Sequence, residues 1–410
     1  MNKRGKKMDS LSYLMEKLMH LQQKYPQRPR YCALRMMITA AHAIFMCQRQ
    51  SVNTKHKKTN MAIKKTPVLV FDIKGGLGDF IIAINFIYCL SKFIDDIEIK
   101  IKIAYHSQEI MKSFCACIPG LLQFETDVRK LTGDVVVEIN RFPRVLSGDC
   151  ELLGQYSVKL KMLFKMWNNF FIHYRKFFDL MPQVDRLAND YSRIVGSKRI
   201  NQADIGHYLH IPEQYQAPIS FPENELAVLA KFGLTSKTYI TIQRGQSLTE
   251  KQNVNNKLWP PDYYDDLALL LKKHYPQFML VQLGMEREGF NCNFQGIDIN
   301  LRGKTDLEDL KVVLKNSALH IDTEGGLVHL RHAVQGGPSI VLFGPTSPEI
   351  YGYKENLNLR SDTCPIPCEW IANDWVQYCP RRSEKNICLR SLTPVFVFQQ
   401  IQSFWTNHKI

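Results

Sequence analysis

The sequence predicts an α/β protein of two Rossmann-like domains facing one another across a cleft, and three stretches carry that reading. Residues 67–92 (PVLVFDIKGGLGDFIIAINFIYCLSK) run from a buried-type strand through a glycine turn into an apolar helix. Tyr239–Gln243 (YITIQ) opens a second strand–helix series after a proline-punctuated gap. Leu319–Glu349 reads as strand, glycine turn, helix, glycine turn, strand and polar loop. Strand–helix alternation in both halves is what parallel sheets with crossover helices require.

At 410 residues the chain is long enough for two sizeable domains, and 45% apolar with 22% charged residues is a globular composition. The net charge of +14 is unevenly placed. Residues 1–65 hold fifteen Lys/Arg against Asp9 and Glu16, which leaves about +1 for residues 66–410. Within this basic leader, Asp9–Lys24 sets Leu11, Leu14, Met15, Leu18 and Leu21 along one helical face, and Tyr31–Cys47 is a second helix candidate. A basic amphipathic arm suits an anionic membrane surface. The alternative is a solvated extension, with Met61 as a second start. Nucleic acid is not an expected partner, because the arm has neither a binding module nor interleaved aromatics. Its longest uncharged apolar run, Met36–Gln48, is far short of the roughly 20 residues of a membrane span and lacks a secretory cleavage signature. The expected location is the cytoplasm, peripheral on the inner face of its membrane if the leader docks there. In that compartment the eleven cysteines are expected as thiols or metal ligands rather than disulfides.

In the first half, Val68–Ile73 is the strand, Lys74–Gly78 the turn, and the helix runs from Asp79 onward. Gly76-x-Gly78 lacks the third glycine of a dinucleotide fingerprint, and no Gly-Lys-Ser/Thr follows to make a P-loop. Asp79 is a carboxylate in the first turn of a helix at the carboxyl end of strand one. It either complements the helix dipole, worth about 0.3–1 kcal/mol, or acts as a general base in the crevice where open α/β sheets bind ligands. Ile97–Ala104 and Val135–Ile139 continue as strands, and Tyr156–Lys176, rich in Phe, Trp, Lys and Met, reads as an exposed or acceptor-facing helical insertion whose aromatics are core rather than site. Pro212, Pro218 and Pro222 mark the domain boundary. The expected division is a leader at 1–65, a first domain at 66–220, a second at 221–395 and a C-terminal helix or tail at 396–410.

The second half continues with a helix at Asp262–Lys273 and strands at Phe278–Leu283 and Ile297–Leu301. Gly303-Lys304-Thr305 then precedes a helix at Asp306–Lys315. In the last unit, Glu324-Gly325-Gly326 turns, Leu327–Val334 carries helical spacing, Gly336-Gly337-Pro338 stops it, and Ser339–Phe343 is a buried strand. A strand–Gly–helix junction directs backbone N–H groups and a positive dipole end at its ligand, which suits a phosphate. An ordinary βαβ crossover without a ligand has the same pattern.

Taken in order, Leu77-Gly78-Asp79, Lys257-Leu258-Trp259-Pro260, Gly303-Lys304-Thr305, EGGLVH at 324–329 and FGPT at 343–346 resemble glycosyltransferase family 9. These are the ADP-heptose heptosyltransferases of lipopolysaccharide core synthesis, and the resemblance covers about residues 67–395. It implies a GT-B fold, with the acceptor on the first domain and the sugar nucleotide on the second. It also implies inverting transfer of a heptose or related sugar from a nucleotide diphosphate sugar, ADP-heptose by default, to a lipopolysaccharide-type, lipid-linked or other glycan acceptor. No cofactor is implied for catalysis. By the same resemblance Asp79 is the base, Lys257 binds the diphosphate and Arg244 is a further cation on that loop. Glu286 meets the nucleotide ribose, Thr305 lies beside the nucleobase, and Glu324, Gly325, Gly326 and His329 line the phosphate end. For His329, core packing is the alternative. Leaving-group charge appears only as the bond breaks, so fixed cations and N–H donors are the groups that stabilise it.

The chain departs from the family where Asp-x-Gly-x-x-His is usual. Glu324 stands in place of the aspartate, one methylene longer, and Asp322 is positioned to share its role. Separately, Cys364-x3-Cys368-x10-Cys379-x8-Cys388 puts four thiols within 25 residues, a count that suits a structural tetrahedral Zn or Fe site. Buried thiols or disulfides are the alternatives, and the family resemblance also implies cysteines here. Two further readings stand beside a lipopolysaccharide acceptor: transfer to a protein or capsule acceptor, and a non-catalytic sugar-nucleotide-binding scaffold with the same fold.

Overall fold

The computed structural model describes residues 66–408 except 141, 179–185, 187–188, 191–192, 194–197, 202, 205–208, 213, 245–255, 286–294, 365, 373 and 381–385. The leader reading at 1–65 and the site residue Glu286 lie outside the described residues. The chain divides into two units, one ending at Pro218 and joined by residues 370–373, the other beginning at Ile219. No described helix is long and apolar enough to cross a membrane.

In the first unit, β1 (Val68–Ile73) is an unbroken apolar run except for Asp72, and its side chains are buried from Leu69 onward. A strand with no polar alternation needs cover on both faces, as central parallel strands have. α1 (Leu77–Phe93) follows and begins two residues before the expected start. β2 (Lys100–Ala104), α2 (Gln108–Phe114), β3 (Leu121–Glu125), β4 (Val135–Asn140) and β5 (Phe142–Gly148) complete a sheet of order β3-β2-β1-β4-β5. All of its pairs are parallel except β4–β5. The chain builds outward from β1 to β3 and then restarts beside β1 with β4. The carboxyl ends of β1 and β4 therefore flank the switch point where such sheets bind ligands, and there the Lys74 amide donates to the Ile139 carbonyl at 2.9 Å.

α3 (Cys150–Tyr156) and α4 (Val158–Phe178) come next. The first half of α4 is not an exposed insertion, and its aromatics lie in the core, as expected of them. Leu160, Leu163, Phe164 and Trp167 are buried there, and Trp167 packs on Phe86 of α1 at 5.6 Å between ring centroids. Four large apolar side chains at helical spacing gain more from burial than exposure allows.

The second unit contains α5 (Glu225–Lys231), β6 (Tyr239–Gln243), α6 (Pro261–His274), β7 (Met279–Leu283) and β8 (Ile299–Asn300). α7 (Leu307–Asn316), β9 (Leu319–Thr323), α8 (Gly326–Ala333), β10 (Ser339–Phe343), α9 (Pro348–Tyr351) and β11 (Leu357–Arg360) follow. α10 (Ile387–Arg390) and α11 (Pro394–His408) end it. The sheet order is β11-β10-β9-β6-β7-β8 with every pair parallel. Here the switch point lies between β6 and β9. The core sits under α6 and α11, where Trp259, Tyr264, Leu271, Phe398 and Trp405 pack against the strands. The buried Arg331 of α8 donates to the carbonyls of Leu314, Gly337 and Pro338 and so closes the C-terminal end of α7.

Candidate functional site

The two strands that flank the switch point of the second unit each end in a charged residue. Arg244 follows β6 and Glu324 follows β9. Lys257 reaches Glu324, with Nζ 2.7 Å from Oε2. His329, in the first turns of α8, has Nε2 3.8 Å from Oε1 of the same carboxylate, and its Nδ1 lies 2.7 Å from the Tyr353 hydroxyl. Gly325 is the cap residue of α8 and Gly326 its first residue, so no side chain covers the amides at that end. The structure thus brings together Lys257, Glu324, Gly325, Gly326 and His329. Thr305 is half-buried just before Asp306, which caps α7 by accepting from the Asp309 amide at 2.8 Å.

Burial alone would raise the Glu324 carboxyl, but the Lys257 ammonium, and after it His329, outweigh burial and hold it well below the usual carboxylate range. Asp322, near the carboxyl end of β9, goes the other way. Burial drives it well above its ordinary value, and the neighbouring Glu324 charge adds to the shift despite the opposing Thr323 amide and Lys257. Two carboxyls two residues apart are thereby held in opposite states, one ionised and one neutral. Both Asp322 carboxyl oxygens and the hydroxyls of Thr323, Thr346 and Ser347 are buried with no hydrogen-bond partner among the described residues. Orphaned buried polar atoms at strand ends are what a polar ligand would satisfy.

In the first unit, Asp79 sits in the first turn of α1. Its Oδ2 accepts from the Gly76 amide at 3.0 Å, and its Oδ1 accepts from Arg199 Nη2 at 2.8 Å. Arg199 is buried while the Asp79 side chain remains 40% exposed. The carboxylate is therefore capping and partly exposed at once. Gly75 makes the turn possible. Its φ is +101°, and a Cβ there would come 2.4 Å from Asp79 Oδ2. The Tyr105 hydroxyl donates to the Gly75 carbonyl at 3.3 Å and packs beside this turn.

The four C-terminal cysteines all belong to the second unit, and none is in a disulfide. Burial pushes the Cys368 thiol far up, and Cys388, Cys379 and Cys364 push in the same direction; Cys388 is raised to about 11, again chiefly by burial. The donor chemistry fits a thiophilic ion. Among the described residues, no group of three or more His, Cys, Asp or Glu has ligating spacing.

Residues 206–368 match the model of glycosyltransferase family 9 (heptosyltransferase). This part of the chain is similar to that family. No curated protein matches the chain in sequence. Among solved structures it is similar to the dodecameric iron-containing heptosyltransferase TibC of enterotoxigenic E. coli. The identity is 16% over 85% of this chain and 78% of that one, with a TM-score of 0.52. TibC has been solved in complex with ADP-D-β-D-heptose. The chain is also similar to E. coli ADP-heptose LPS heptosyltransferase II at 14% identity, over 84% of this chain and 100% of that one, with a TM-score of 0.49. The family 9 match spans Lys257, Glu324 and His329, and these are the residues the structure gathers. Arg199, Tyr105 and Tyr353 were not foreseen. Arg199 is 120 positions from the carboxylate it binds, and no local motif marks any of the three.

Proposed function

We propose that this chain is an inverting, metal-independent glycosyltransferase that moves a heptose or related sugar from a nucleoside diphosphate sugar to a lipopolysaccharide-type or other glycan acceptor. The observation that carries this reading is Lys257, Glu324 and His329 gathered at the switch point of the second unit, beside the uncovered amide end of α8. A diphosphate needs cations and N–H donors there, and those groups stabilise the charge that develops on the leaving phosphate. On the first unit, Asp79 takes the proton of the acceptor hydroxyl. The acceptor oxygen then bonds to the anomeric carbon as the bond to the phosphate oxygen breaks, and that electron pair leaves with the nucleoside diphosphate. Arg199 and the Gly76 amide hold Asp79 oriented for this role. ADP-heptose is the favoured donor, in line with what TibC is solved with.

Two accessory roles belong to the same reading. Cys364, Cys368, Cys379 and Cys388 hold a structural Zn or Fe ion that takes no part in transfer. Their thiol chemistry supports this, and binding requires the four side chains to close on the ion from the spacing they have here. The basic leader keeps the enzyme on the anionic inner face of the cytoplasmic membrane. Co-sedimentation with anionic liposomes tests that role, and equal binding by a chain beginning at Met61 would remove it.

A donor screen with ADP-, GDP- and UDP-sugars tests the main reading, run on wild type and Asp79→Ala. Turnover by wild type with one donor, lost in Asp79→Ala while the nucleotide still binds, is expected. Full turnover by Asp79→Ala rules out the base, and no turnover of any donor by wild type favours a non-catalytic sugar-nucleotide scaffold.

A further inference from the structure

Tyr353 lies between α9 and β11, is 6% exposed, and packs in an apolar cluster with Val328, Val341, Phe343, Ile350 and Tyr351. His332, one turn beyond His329 on α8, stacks on its ring with centroids 3.6 Å apart and planes 17° from parallel. His332 is itself held by a hydrogen bond between its Nδ1 and Glu355. The Tyr353 ring is thus clamped on several sides, which fixes the direction of its hydroxyl. That hydroxyl meets His329 Nδ1 at 2.7 Å, with the two rings nearly perpendicular at 81°.

The other imidazole nitrogen decides which partner donates. His329 Nε2 faces the Glu324 carboxylate at 3.8 Å, and an ionised carboxylate offers only lone pairs. The ring proton therefore sits on Nε2, Nδ1 is the acceptor, and Tyr353 donates. A diphosphate at neutral pH also presents only lone pairs to its neighbours. We propose that Tyr353 is a positioning residue: by donating to Nδ1 it holds His329 in the Nε2–H form, so that one N–H is always presented to a nucleoside diphosphate at the start of α8. This rests on the reading of the second unit as the donor site. Without the hydroxyl, only the Glu324 carboxylate, 3.8 Å from Nε2 and beyond hydrogen-bond length, still favours the proton there, and the Nδ1–H form gains population. Nε2 then becomes an acceptor and repels phosphate oxygens, just as outer partners set the tautomer of metal-bound histidines.

Tyr353→Phe removes the hydroxyl and keeps the ring with its stacking. Ring-nitrogen NMR of histidine-labelled protein, assigned with His329→Gln, reads the tautomer directly. Calorimetry with ADP, GDP and UDP in turn reads affinity. In wild type the protonated Nε2 form is expected alone, and in Tyr353→Phe a mixture of both forms. The nucleotide that binds wild type should bind Tyr353→Phe about threefold to tenfold more weakly. An unchanged tautomer in Tyr353→Phe overturns the positioning role even if affinity falls, because packing alone then explains the loss. An unchanged affinity overturns it as well. A wild-type protein that binds none of the three nucleotides overturns the donor-site reading, and the ring-nitrogen spectra still decide whether Tyr353 sets the tautomer.

Discussion

Lys257 and Glu324 form an ion pair of 2.7 Å with side chains only 18% and 9% exposed. The family 9 pattern has aspartate at this position, and the extra methylene of glutamate extends its reach toward the lysine. On the proposed reading, a bound diphosphate shares Lys257 with a carboxylate. At a few ångströms and an intermediate dielectric, one like charge costs on the order of 1 to 4 kcal/mol. Glu324→Gln should therefore bind ADP about tenfold more tightly, with slower transfer because the group facing His329 and Lys257 is lost. Calorimetry and initial rates measure the two effects, and equal or weaker ADP binding would show that Glu324 does not compete.

The same pair gives stability a pH dependence. The folded Glu324 carboxyl is held below its ordinary value of 4.5. Its contribution is therefore complete above about that pH and fades as the pH falls toward the folded value. Asp322 has the opposite sign, because its folded carboxyl is raised above 3.8. It stays neutral in the fold while the unfolded chain ionises, so it costs stability increasingly as the pH rises above about 4. Thermal melts from acid to neutral pH check both. Glu324→Gln should lose its destabilisation relative to wild type as the solution is acidified. Asp322→Asn should gain stability over wild type at pH 7 and lose that gain near pH 4.

Much of this arrangement was legible in the chain. β1, β6 and β10 are apolar runs bounded by glycine or polar turns, and a central parallel strand has little choice but to look like that. β5 (FPRVLSG) was not legible. It carries Pro143, which an edge strand tolerates because that amide need not join the ladder. β3 (LLQFE) has no clean alternation, with Leu122 and Gln123 exposed and the other three residues only partly covered. Lys257, Glu324 and His329 could be named from motifs because their spacing is local to one turn or loop. Arg199 and Tyr353 could not, because only the tertiary fold brings them to Asp79 and His329.

Gly75 should be intolerant of a side chain. Its φ of +101° strains any L-residue, and the added Cβ would fall 2.4 Å from the Asp79 carboxylate. Gly75→Ala should lower stability by about 1–3 kcal/mol and displace Asp79, cutting kcat while leaving nucleotide affinity in the second unit unchanged. Gly76 provides the control, since a Cβ there meets nothing within 4 Å. A Gly75→Ala enzyme as active as Gly76→Ala would show that Asp79 does not need its present position.

The cysteine cluster makes a prediction independent of transfer. Of the four thiols, Cys368 and Cys388 are raised mainly by burial, which keeps them neutral without an ion. A bound divalent metal reverses that preference by taking them as thiolates, which makes occupancy pH-dependent and couples it to folding. Elemental analysis of the full chain as isolated should return about one Zn or Fe per molecule. Cys368→Ser should lose most of it, and chelation should lower Tm by several degrees without changing the pH profile of kcat. Metal-free protein with all four thiols titratable after unfolding would make the cluster a set of buried core cysteines. Metal loss that alters the pH profile of kcat would place the ion in the chemistry, contrary to the mechanism drawn from Asp79 and Lys257.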